Sequence, residues 1–331
     1  MTRPITLLTA QWTDMPFAEV AEKAAAWGYE GLEIASSGDH FDLQRGASEP
    51  EYCQEKLDFL AGYGLKVFAI NACLASQLIG GRNDDARSDG WAPGKFAGDP
   101  IAKREWAVQS TLDAARAATN LGISVVTTCS GSPIWELVYG QPTIPPGMIE
   151  SGHQRIVELF DPILEVYDEL NIKFALEVMP TQIAYDIVTA HKAVELLGHH
   201  PSFGFNFDPS HLHWQMIDSA QFIRELHERI FHVHMKDTGM FLNGRTGILN
   251  SHLPFGHPER SWEFRSLGRG DVNFEEIIRE LNRSGYEGPL SVEWEDTGMD
   301  REHGARESVE FIRKLDFSPS TFSFEDILKQ D

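Results

Sequence analysis

Eight short apolar, β-rich runs alternate with longer amphipathic stretches along this chain, and that alternation limits the fold more than any other feature. The runs fall at 5–10, 31–35, 66–71, 124–129, 173–178, 203–208, 230–235 and 290–294. Most are continuously apolar, as expected of parallel strands buried on both faces. Helical periodicity occupies 16–27, 51–63, 101–121, 149–170, 185–197, 219–229, 274–284 and 302–315. Gly28, Gly64, Gly122 and Gly285 stand where left-handed helix caps are expected. Eight β/α units of about 41 residues each predict an α/β fold, a (β/α)8 TIM barrel over 1–315 with a C-terminal tail at 316–331. A doubly wound sheet is the alternative, but no G-x-G-x-x-G follows a strand and no G-x-x-x-x-G-K-[ST] occurs.

Composition narrows the setting. A chain of 331 residues with 42% hydrophobic and 24% charged residues is globular. The net charge of −22 disfavours nucleic-acid or anionic-membrane partners. Cys53, Cys73 and Cys129 form no zinc spacing and no disulfide framework, so a reducing, cytoplasmic location is expected. Residues 1–12 carry one basic residue, and no signal peptide is expected there. No apolar run reaches the ~18 residues of a membrane span.

Three connections, 74–100, 131–148 and 238–271, are long for loops. All follow predicted strands, which places them at the strand C-terminal face, where barrels build their sites. Charged groups also interrupt four late strands, at a cost unless they are paired or bound to a metal. Glu177 lies in "FALEVMP", and Asn206 and Asp208 in "GFNFDPSHLHW", with His211 three residues on. His232, His234 and Lys236 share a face of "FHVHMKD"; Glu293 and Glu295 share one in "LSVEWED". A Glu–Asp–His–Glu set suits Mn²⁺, Mg²⁺, Co²⁺, Fe²⁺ or Zn²⁺. Taken singly, each residue also has an ordinary reading: a salt-bridged Glu, a core His, a turn-starting Asp.

Together "ALEVMP", "NFDPSHL", "HVHMKD" and "LSVEWED" resemble, in this order, the xylose-isomerase-like TIM-barrel superfamily of sugar isomerases and epimerases. "GYEGLEIA" and "GYEGPLSVEWED" extend the resemblance over roughly 5–315. The resemblance implies metal ligands Glu177, Asp208, His234 and Glu293, with Glu295 and His232 as rival positions. It implies Mn²⁺ as the first choice of metal, His211 as a substrate-contacting histidine, and Glu177 and Glu293 as the pair that moves protons.

The expected reaction is metal-dependent isomerisation or epimerisation of a sugar, keto-sugar or cyclitol through an enediolate. His40, Trp12, Lys236 and Arg269 are candidate substrate contacts beside His211. Lys236 is equally readable as a salt bridge to Asp237 or to a strand-five carboxylate. A lyase of the same superfamily, a keto-inositol dehydratase or the catalytic subunit of a 3-oxo-glycoside C-deglycosidase, is the alternative; the latter requires a small partner subunit. Otherwise the expected partner is a small carbohydrate or cyclitol, with homo-oligomerisation open. Phosphodiester cleavage of the endonuclease IV kind needs more metal ligands than the chain offers, and a non-catalytic sugar sensor leaves the filled ligand positions unexplained.

Overall fold

The apolar runs close on themselves. In the computed structural model, which describes residues 3–322, the strands are β1 (Ile5–Leu8), β2 (Gly31–Ala35), β3 (Lys66–Asn71), β4 (Val125–Thr128), β5 (Lys173–Glu177), β6 (Phe203–Phe207), β7 (Ile230–Met235), β8 (Asp237–Met240), β9 (Trp262–Arg265) and β10 (Leu290–Val292). Strands β1 to β7 and β10 form a closed parallel barrel, β1 pairing with both β2 and β10. Helices between the strands bury their apolar stripes on its outside; Phe17–Trp27, for instance, buries Phe17, Val20, Ala21 and Ala24. Gly28 and Gly122 end their helices at φ 92° and 67°, a conformation that a side chain would strain.

Several expected boundaries move. The first run leaves the sheet early, because Ala10–Trp12 winds into a 3-10 turn. The last strand stops at Val292, so Glu293 and Glu295 lie just beyond it. The connection at 74–100 is not a plain loop, since it falls within a segment that opens with the helix Cys73–Gly80. The stretch 238–271 also carries structure: β8 and β9 form an antiparallel ribbon. Alternation of Trp262 and Phe264 with Glu263 and Arg265 is the strand signal that a loop reading overlooks.

The ribbon is fastened at its base. Buried Asp237 accepts hydrogen bonds from the backbone N–H groups of Thr238, Gly268, Gly270 and Val272, at 2.8, 3.0, 2.9 and 3.2 Å. At the other end of the barrel, Arg3 pairs with Asp316 and donates to Tyr286 O and Asn282 Oδ1, both at 2.8 Å, tying the residues before β1 to those before β10 and after the helix Arg301–Leu315. The remainder of the expected tail, 323–331, lies outside the described residues. Among the described residues no helix is long and apolar enough to cross a membrane.

The barrel lumen is polar where such barrels are usually filled by branched apolar side chains. Glu33 of β2 is fully buried and bonded to Thr127 of β4, His232 and His234 of β7, and Ser291 of β10. Only side chains pointing into the lumen can meet across so many strands. Register shifts fall at Leu32/Glu33 and at Phe205/Asn206, where a bulge re-aims a side chain.

Candidate metal centre

Four side chains converge at the C-terminal mouth. Glu177 ends β5, Asp208 follows β6, His234 lies near the end of β7 and Glu293 follows β10. One ligand atom from each lies within 4.8 Å of the others, and all four residues are buried.

Each ligand is oriented by its own neighbours. Asp208 caps the helix Pro209–His213: its Oδ1 accepts from Ser210 N–H at 2.7 Å, while Oδ2 is buried without a hydrogen-bond donor. Glu293 Oε1 receives the Gln11 amide at 2.9 Å and the Lys236 ammonium at 3.0 Å. Glu293 Oε2 has no hydrogen bond and stands 2.8 Å from His234 Nδ1, outside hydrogen-bond geometry. His234 Nε2 lies 2.9 Å from Glu33 Oε2, so a proton shared with Glu33 there leaves the Nδ1 lone pair facing the cluster. Two orphaned carboxylate oxygens, an imidazole nitrogen and the Glu177 carboxylate form an oxygen-rich donor set that fits a divalent cation.

Protonation follows from this crowding. Burial works against charge on His234, but Glu33 and Glu293 outweigh it and hold the imidazolium well above its usual range. Burial raises the Asp208 carboxyl to about 6, against the pull of His211 and Lys236. For Glu293 burial again raises, yet Lys236 and His234 win and hold it below the usual carboxylate range. Without a cation, a proton on His234 Nδ1 neutralises part of the charge that the metal would. Cation binding must therefore release protons. Apparent affinity for a divalent cation such as Mn²⁺ is expected to rise with pH through 6 and onward past the usual histidine range, up to roughly tenfold per pH unit for each proton displaced. Calorimetric titration in buffers of different ionisation enthalpy counts those protons; a flat profile contradicts the assignment.

The other expected site residues divide. His211 Nε2 lies 3.2 Å from Glu177 Oε1 and 3.4 Å from Asp208 Oδ2, with its ring edge against Phe264. Lys236 is buried between Glu293 and Glu295, the latter at 3.3 Å, and sits 4.2 Å over the Phe264 ring. Its partners are thus on the last strand's extension, and neither Asp237 nor a strand-five carboxylate. Glu295 lines the mouth but stands outside the four-residue cluster; His232 faces Glu33 at 2.9 Å inside the lumen.

Three expected substrate contacts are corrected. Trp12 is fully buried against Trp27, because its 3-10 turn rotates the indole inward. His40 is also fully buried, bonded to Thr9 Oγ1 at 2.9 Å and Met15 O at 3.1 Å. Arg269 pairs with Glu307 on the outside at 2.9 Å. None of the three lines the mouth cavity. That cavity, of about 570 Å³, is walled by Gln11, Cys73, Leu74, Trp91, Phe255 and Phe264 around the acidic cluster. Glu33, a charge inside the apolar strand β2, supports His232 and His234 from below.

A closed (β/α)8 barrel with an acid-and-histidine cluster at its C-terminal mouth defines a class of metal-competent barrels. Within that class, the chain belongs to the xylose isomerase-like TIM barrel family, whose model matches residues 21–315. It is 35% identical over 146 residues to the protein YfiH of Bacillus subtilis (strain 168), covering 43% of this chain and 46% of that protein. It is 33% identical over 89 residues to inosose dehydratase of Clostridium perfringens, covering 27% of this chain and 29% of the relative. The matched segments span less than half the length of both curated relatives. In structure it is similar to the E. coli protein YcjR, described as a 3-keto-D-glucoside 4-epimerase, with a TM-score of 0.65, 14% identity, and coverage of 94% of this chain and 99% of the other.

Proposed function

We propose that this protein is a divalent-metal-dependent isomerase or epimerase that moves a proton on a carbon beside the carbonyl of a sugar, keto-sugar or cyclitol. The observation that carries the reading is the pair Glu177 and Glu293, two carboxylates that reach one centre from strands separated by β6 and β7. Glu177, Asp208, His234 and Glu293 would hold a divalent cation, Mn²⁺ being the first choice, which would supply Lewis acidity toward a carbonyl oxygen. The rest is the work of the chain.

Glu177 takes the proton from the carbon beside the carbonyl, and His211 Nε2–H, 3.2 Å away, holds the carboxylate in place. On the opposite face a proton from solvent is delivered through Glu293, ionised at rest, which inverts the centre, while the proton on Glu177 returns to solvent. Return by Glu177 to the neighbouring carbon exchanges aldose and ketose. Lys236 keeps Glu293 ionised between turnovers, and Phe255, Phe264 and Leu74 line the mouth.

A second reading is the lyase variant, a dehydratase that makes the same abstraction and then expels a hydroxyl. The inosose dehydratase likeness favours it, as does His211: burial lowers its proton affinity, but Asp208 and Glu177 raise it overall, which leaves an acid beside the cavity. Solvent-deuterium exchange by NMR decides. Mn²⁺-loaded protein in D₂O is incubated with ketoses, inososes and 3-oxo-glycosides, with and without chelator. Chelator-sensitive deuterium beside a carbonyl with the skeleton retained supports the isomerase; loss of water supports the dehydratase. No exchange across the panel, with the metal bound, refutes both.

A further inference from the structure

The mouth cavity does not end at the acidic cluster. Trp91 lines it together with Glu177 and Glu293, and Trp91 also lines a second cavity of about 230 Å³. That neighbour is walled by Trp135, Gln77, Arg82, Ser132 and Thr181. Two indoles, an amide, two hydroxyls and the Arg82–Asp84 ion pair, with Asp85 and Glu136 beside it, make a mixed apolar and hydrogen-bonding lining, suited to the C–H faces and hydroxyl edges of a sugar ring.

This second cavity is built by internal structure. Buried Gln182 fixes one wall: its Oε1 accepts from Ser130 N–H at 2.7 Å and Gly131 N–H at 2.8 Å, and its Nε2 donates to Gln77 Oε1 at 2.5 Å and Thr181 Oγ1 at 3.2 Å. Gln77 has its side-chain carbonyl engaged there and lines the cavity. Thr181 is held at φ 82°, a strained conformation for a β-branched residue that the surrounding bonds must support. The opposite wall is fastened by Lys103, a fully buried lysine that donates to Asn83 O at 3.2 Å and Ser88 Oγ at 2.8 Å and pairs with Asp89. It secures the segment carrying Arg82 and Trp91. Trp91 itself is 40% exposed, and Trp135 is propped edge-on by Tyr185 at 5.4 Å.

We infer that the substrate is a two-ring glycoside. One ring sits over Glu177 and Glu293; the ring joined to it by a glycosidic bond lies in the second cavity, between Trp91 and Trp135. The placement of the reacting ring rests on the function proposed above. The existence of a second sugar subsite does not, and it is tested by binding without turnover.

Tryptophan fluorescence and calorimetry would follow titration of the whole protein with glucose, fructose, maltose, cellobiose, sucrose, trehalose and phenyl β-glucoside. At least one disaccharide is expected to bind about tenfold more tightly than either of its component sugars. Trp135→Ala and, separately, the exposed Arg82→Ala are expected to erase that gain; thermal melting checks that each variant is folded. Disaccharides that bind no better than their component sugars overturn the inference, as does a gain that survives both substitutions. A gain confined to phenyl β-glucoside overturns it too, since that marks an aromatic-aglycone pocket. Disaccharide binding without deuterium exchange would sink the proton-transfer reading while leaving the subsite standing.

Discussion

Deuterium incorporation by the Glu177→Gln protein is expected to fall by roughly 10²–10⁴-fold at saturating Mn²⁺, the usual contribution of a positioned general base. Glutamine keeps the size of the side chain and its contact with His211, now 3.2 Å from Glu177 Oε1, but supplies no basic oxygen. Cation affinity is expected to fall as well, because one anionic ligand of the cluster is gone. Saturation with Mn²⁺ separates the two effects: the lost base remains when the lost ligand has been compensated. An exchange rate within threefold of the parent at saturation would remove Glu177 from proton transfer and leave it as a ligand only.

The second large effect concerns a residue that touches no substrate. Glu33 accepts Thr127 Oγ1 at 2.5 Å and Ser291 Oγ at 2.7 Å, shares its oxygens with His232 and His234 at 2.9 Å, and has the Asn71 amide at 3.3 Å. Burial alone would raise its carboxyl, but His234 and His232 outweigh burial and hold it well below the usual range. Glu33→Ala strands these groups in the lumen and is expected to cost about 3–5 kcal/mol, as when one partner of a buried charge pair is removed. Urea unfolding of the cation-free protein measures this. Glu33→Gln is the gentler variant. It keeps the volume but loses the negative charge that fixes the His234 proton on Nε2, and Mn²⁺ affinity should fall about 10–100-fold, as for other partners of ligating histidines. Unchanged affinity in a folded Glu33→Gln protein would mean that the His234 orientation is set elsewhere, with the Asn206 amide at 3.1 Å the next candidate.

These two residues also mark how far the sequence could be read. The barrel was legible because its strands are buried on both faces and so appear as apolar runs; three of them, Gly31–Ala35, Lys66–Asn71 and Ile230–Met235, match the expected limits. The four clustered residues were legible for a related reason: each puts charge at the edge of such a run, and their spacing follows the β/α repeat. Glu33 obeys the same rule in "GLEIA", but its partners are spread over β3, β4, β7 and β10, and His232 is 199 residues away. Local pattern carries no signal for a network of that span. Trp12, His40 and Arg269 went astray for the opposite reason. Position near a strand end was legible, side-chain direction was not, and an indole at the end of a 3-10 turn is as able to face the core as the mouth. The ribbon β8–β9 was hidden by length, because a long excursion between strands reads as loop unless its period-two alternation is tested piece by piece.

The Asp237 anchorage has a consequence for how such a protein can change over evolutionary time. One carboxylate gathers both ends of the excursion, holding Thr238 at its start and Gly268, Gly270 and Val272 at its return. What lies between them carries Phe255 and Phe264 to the mouth cavity, while the barrel contributes Glu177, Asp208, His234 and Glu293. The excursion is therefore a cassette with a fixed socket. Because Phe264 also packs against His211 and Lys236, a change in the excursion's length or composition would be felt by the groups beside the acidic cluster as well as by the cavity wall.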